Sequence, residues 1–205
     1  MADLASSLLR EFEGYRDTPY WDVNAYRSGY GSDTTTNAAG QVIPIRQGMT
    51  VSRDDAERDL ARRTQTEFMP RAISAVGERN WATLSPQQQA ALVSITYNYG
   101  SLPSSVASAI ASGDMNAATR AIEGLSGHNG GVNRSRRMRE AAIFSGRENY
   151  GGSPNTTPTG NALTSVTPPP DTQNALAEIA PFQMIDMRQD PAAFMSRRRF
   201  QNALG

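Results

Sequence analysis

The segment Leu84-Ser85-Pro86-Gln87-Gln88-Gln89, followed by Ala90-Ala91-Leu92-Val93-Ser94-Ile95-Thr96-Tyr97, constrains this chain more than any other. Ser85 reads as a helix N-cap, Pro86 as the first helical residue and Gln88 as the side chain that closes a capping box. The run behind them is apolar nearly all the way round a helical wheel. A helix without a solvent face must be buried on most sides, so other elements have to pack around it. Asn98-Tyr99-Gly100 ends it.

Further helices are expected from Asp3 to Glu13, from a cap at Ser52 toward Pro70, from Ser104 to Ala111, from Met115 to Leu125 behind a cap at Asp114, and from Asn133 to Phe144. Pro70 predicts a kink or break. The Arg/Asp pattern after Ser52 reads as a solvated face. Between Tyr20 and Ile45 the chemistry is that of strands and turns: a small antiparallel sheet, with Pro44 fitting only an edge position. The fold class is therefore α+β and mainly α-helical.

The charge balance is zero, which lacks the basic excess of a nucleic-acid binder. With no cysteine and one histidine, His128, neither a disulfide scaffold nor a Cys/His metal centre is available, and no cofactor is expected. A Ser-His-Asp triad would have to use His128, which stands in a glycine-rich loop. Met1-Ala2-Asp3 opens no signal peptide, and no run reaches transmembrane length, so no membrane partner is expected.

Chemistry is concentrated near the N-terminus. Glu13 falls on the last turn of the first helix, with Gly14 at the C-cap glycine position. The negative end of the helix dipole disfavours a carboxylate there, and packing against Phe12, Tyr15 and Trp21 would disfavour it further. Both effects favour the protonated form that a general acid requires. Asp22, nine positions on in a turn-like Asp22-Val23-Asn24 context, could stay ionised. Two carboxyls in contrasting environments suit hydrolysis of a glycosidic bond. A solvated or arginine-paired Glu13 is the plainer alternative.

Glu13, eight intervening residues, Asp22 and then Gly29-Tyr30-Gly31 together resemble the signature of the phage-type lysozymes (endolysin muramidases, glycoside hydrolase family 24). The Leu84–Gly100 segment and the Arg136-Arg137-x-x-Glu140-x-x-x-Phe144 helix are similar to the family's central and closing helices. The resemblance implies a lysozyme-like fold with a small β-hairpin lobe and a helical lobe. It implies cleavage of the β-1,4 bond between N-acetylmuramic acid and N-acetylglucosamine in peptidoglycan, with Glu13 as acid and Asp22 as second carboxylate. The third catalytic position is Ser28 when counted forward from Asp22, and Arg27 when counted back from the Gly-x-Gly turn. Tyr30, Asn98, Arg136 and Arg137 are expected at the substrate cleft, the arginines either touching glycan or orienting Glu13.

At Gly151 the composition changes. Residues 1–150 are expected to form the lysozyme-like domain, 151–174 a Pro/Thr/Gly linker, and 175–205 an extended tail with apolar anchors too few for a core. Docking of the tail on a virion or tail protein is one expectation, with residence in the phage particle, and a free enzyme in the host cytoplasm before release is another; the alternative function is a structural virion component that keeps the lysozyme fold with weak or no activity and attaches through the tail.

Overall fold

The computed structural model describes residues 2–151. Helix α1 (Ala2–Glu13) leads into a hairpin of β1 (Arg16–Asp22) and β2 (Ala25–Gly29), then a second hairpin of β3 (Thr34–Thr36) and β4 (Val42–Pro44). Helix α2 (Arg53–Arg63) follows. It runs through a widened π-turn, Thr64–Phe68, into α3 (Met69–Val76). The rest is helical: α4 (Glu78–Thr83), α5 (Pro86–Tyr99), α6 (Ser104–Ala111), α7 (Met115–Gly124), a short 3-10 segment Leu125–Gly131, and α8 (Arg134–Phe144). The mainly α-helical α+β expectation is met. The tail beyond residue 151, with most of the expected linker, lies outside the described residues.

Helix α5 sits where its sequence requires. Both bonds of the Ser85/Gln88 capping box are present, and Ala91, Leu92, Val93 and Ile95 are fully buried. It packs against α1, α3 and α8, and its apolar surface joins Leu8, Phe68, Val76, Val106, Ile122 and Phe144 in the main core. A second, smaller core gathers Leu9, Tyr30, Ile45, Val51, Ala56 and Leu60 beneath the hairpins. Adjacent residues of α1 serve different cores, Leu8 the first and Leu9 the second. Helix α1 therefore lies along the seam between the lobes, and its last residue, Glu13, emerges there.

Three expectations need correction. The sheet is two separate two-stranded hairpins, with an isolated Ser28–Ser32 bridge closing the turn between them. Pro44 does lie on an edge strand. At Pro70 the helix continues instead of breaking, because the π-turn ahead of it shifts the carbonyl that the proline ring would otherwise strike. The Arg/Asp pattern of α2 is not wholly solvated. Asp59 is 1% exposed and accepts hydrogen bonds from Ser32 Oγ (2.7 Å), Thr36 Oγ1 (2.8 Å), Thr34 Oγ1 (3.1 Å) and Arg62 Nη2 (2.9 Å). One buried carboxylate thus ties the second hairpin to α2.

Gly29 has a strict requirement. Its φ is +60°, and a Cβ there would stand 2.9 Å from Ala56 Cβ on α2. Gly29→Ala is expected to lower stability by roughly 1–3 kcal/mol through combined strain and overpacking, read as a lower melting temperature by circular dichroism.

Candidate active site

Glu13 closes α1, and Gly14, at φ +64°, turns the chain out of the helix with its N–H bonded to Arg10 O at 3.1 Å. The Glu13 carboxylate is partly exposed and meets Arg136 of α8, Nη1 to Oε1 2.7 Å. Its other oxygen faces the hairpin: a Cβ on Gly31 would lie 3.7 Å from Glu13 Oε2. Gly31 and the acid are thus within ordinary van der Waals range of each other. Trp21 does not shield Glu13 as expected; it is 61% exposed and stacks edge-on with Tyr26, ring centroids 5.2 Å apart. Phe12 contacts the Arg136 guanidinium instead, 4.8 Å from ring centre to Cζ.

Strand register decides what accompanies Asp22. The pairs are Asp22 with Ala25, Trp21 with Tyr26 and Tyr20 with Arg27. Side chains alternate along a strand, so Tyr20, Asp22 and Arg27 share one face while Trp21 and Tyr26 take the other. Arg27 donates through Nε to Asp22 Oδ2 at 2.7 Å and through Nη1 to Gly31 O at 3.3 Å. The turn that faces Glu13 is thus held by the Asp22–Arg27 pair. Val23, beside Asp22 at the hairpin tip, has φ +52°, a strained conformation for a β-branched residue.

Ser28 is placed differently from its expectation. It is 1% exposed, and its hydroxyl donates to backbone carbonyls of β1, 2.9 Å to Arg16 O and 3.1 Å to Asp17 O. Between Arg16 and Tyr20 the register slips, and the Ser28 hydroxyl bonds into that irregular stretch, where Asp17 O also accepts from Val51 N at 3.0 Å. The Ser28 hydroxyl is committed to the bulge. Tyr30 is buried as well, its phenol bonded to Glu57 and its carbonyl accepting from Tyr97 OH at 2.6 Å. Its ring belongs to the smaller core.

The remaining expected residues converge below Glu13. Arg136 also reaches Glu140 Oε1 (Nε, 3.2 Å), Ser94 O (3.3 Å) and Ser94 Oγ (3.2 Å). Arg137, fully buried, pairs with Glu140 Oε2 at 2.8 Å and donates to Asn98 Oδ1 at 3.2 Å. Asn98 itself is exposed and accepts from Asn133 Nδ2 at 3.4 Å.

Four contributors were given no site role from the sequence. Tyr20 stands with Asp22 on the cleft face, and burial, followed by the Asp22 charge, pushes its phenol up, so it stays a neutral donor. The period-2 alternation from Asp22 could have found it. Tyr97 holds the Gly31 turn from α5 through Tyr30 O, its phenol also pushed up by burial. Glu140 and Ser94 lie far apart in the chain, and nothing local signals their union.

Among the described residues no cluster of potential metal ligands occurs, and no helix is long and apolar enough to cross a membrane.

The Phage lysozyme family model matches residues 10–141, more than half of the chain. A crystal structure of a P22 lysozyme mutant is similar in fold, with a TM-score of 0.55 and 23% identity, covering 69% of this chain and 94% of that one. No curated protein matches the chain. The chain belongs to the phage lysozyme family and is a glycoside hydrolase acting on peptidoglycan.

Proposed function

We infer that the enzyme is a muramidase that cleaves the β-1,4 bond from N-acetylmuramic acid to N-acetylglucosamine, with Glu13 as general acid and Asp22 as second carboxylate. The supporting observation is one turn with two acids around it. Glu13 Oε2 faces Gly31, and the Gly31 carbonyl is bound by the arginine that pairs with Asp22. A sugar seated over Gly31 would lie between them. Glu13 would protonate the departing oxygen, and Asp22 would stabilise positive charge on the ring or activate water.

Arg27 takes the third position in this reading, since it shares the face of Asp22. Arg136 orients Glu13, and Arg137 fixes Asn98 at the cleft edge. The catalytic domain spans residues 1–150. Support for that boundary comes from Tyr150, whose hydroxyl donates to Glu11 Oε1 at 2.6 Å, while Arg139 bridges Glu11 and Glu148.

Digestion of purified peptidoglycan with mass spectrometry of the products tests the bond assignment. Muropeptides ending in reducing N-acetylmuramic acid are expected. Reducing N-acetylglucosamine ends would reject the muramidase reading, and anhydro-muramic ends would replace hydrolysis by intramolecular transfer at the same bond.

A further inference from the structure

Glu140 is a fully buried carboxylate that makes no contact with the cleft. It is bracketed by two guanidiniums and a hydroxyl: Arg136 Nε at 3.2 Å, Arg137 Nη1 at 2.8 Å and Ser94 Oγ at 2.6 Å. Burial pushes its carboxyl up, and Arg137, Arg136 and Ser94 oppose that shift only in part. The same Arg136 guanidinium that it holds is the one presented to Glu13, with Nη1 on the catalytic acid and Nε on Glu140.

We propose that Glu140 is a positioning residue for the catalytic acid: it divides the charge of Arg136 and offsets that of Arg137, and so sets the net positive charge held beneath Glu13. The proposal rests on Glu13 being the acid. With Glu140 ionised, the cluster of Arg136, Arg137 and Glu140 carries one net positive charge beneath Glu13; without it the charge is two. More positive charge favours the Glu13 carboxylate, the form that cannot donate.

The other groups turned toward this cluster are the phenols of Tyr97 and Tyr99 on α5, both pushed up by burial and so neutral at pH 7. Across Glu13, on the hairpin, stand the phenol of Tyr20, also pushed up by burial, and the Asp22–Arg27 ion pair. Beyond Tyr97 lie Arg63 and Asp59, of opposite charge and each held in its own ion pair. None of these supplies the missing negative charge.

The test is the pH profile of kcat/KM on purified peptidoglycan for the full chain, with each variant's fold checked by circular dichroism. Glu140→Gln keeps the shape and removes the charge, and its basic limb is expected about one pH unit lower than wild type. Arg137→Gln removes a positive charge and should move the limb the other way. The double variant restores the net charge and should return it close to the wild-type position. A uniform loss of activity with limbs in place would mean that Glu140 is structural only and would overturn the proposal. Should Glu140→Gln not fold, Arg137→Gln decides alone, an unmoved limb counting against. Glu13→Gln is run in parallel: if it keeps full activity, the assignment of the acid fails first, a result distinct from an unmoved limb with Glu13→Gln inactive.

Discussion

Glu13→Gln is expected to slow peptidoglycan hydrolysis by at least about 10²–10³-fold, the usual contribution of a placed general acid. The substitution is nearly isosteric, and the amide oxygen can still accept from Arg136, which sits 2.7 Å from the carboxylate. Leu8 and Leu9 carry the contacts of α1 to the two cores, and an isosteric change at Glu13 removes neither, so the fold should be untouched. What disappears is the transferable proton. The loss should fall on kcat, with sedimentation of the protein on insoluble peptidoglycan close to wild type. Turbidity clearing and a binding spin-down, with circular dichroism as the control for folding, read all three quantities. Clearing at the wild-type rate would remove Glu13 from the chemistry. A loss of clearing matched by a loss of binding would make it a contact to the glycan.

That experiment targets a residue that the sequence exposed early, and the reason is local. Glu13 is marked by features a few residues away: an amphipathic helix, its glycine stop and the spacing to Asp22. Caps are equally local, so Ser85 with Gln88 and Asp114 with Ala117 N appear in the structure where they were expected. The proposed third position is not local. Counting forward from Asp22 reaches Ser28, but which side chain faces the cleft depends on strand register. That register pairs Asp22 with Ala25 across a two-residue turn and turns Arg27, not Ser28, toward Asp22. Tyr30 failed for a similar reason, because the backbone of the Gly-x-Gly turn lines the cleft while the ring points into the smaller core. Asp59 was hidden for a third reason. In an Arg/Asp-rich helix, a carboxylate that meets three hydroxyls from a distant hairpin looks like its solvated neighbours.

Asp59→Ala is expected to lower stability by about 2–4 kcal/mol, because it strands Ser32 Oγ, Thr34 Oγ1, Thr36 Oγ1 and part of Arg62 in a buried place. For a domain of this size that corresponds to a melting temperature lower by roughly 5–15 °C. Activity should fall as well, since Ser32 follows Gly31 directly and the turn facing Glu13 would lose its anchor to α2. The wild-type contribution also has a pH signature. Burial alone would push the Asp59 carboxyl up, but hydrogen bonds from Ser32, Arg62 and Thr36, with the Arg62 charge, hold it below the ordinary carboxylate value. A depressed folded-state value means that the stabilisation is complete above the unfolded value, near pH 4, and is lost as pH falls through the folded one. Thermal melts of wild type and Asp59→Asn should therefore differ most above about pH 5 and converge on acidification. A constant gap between them at every pH would assign the loss to packing and hydrogen-bond geometry, and the ionised carboxylate would no longer be what joins the hairpin lobe to α2.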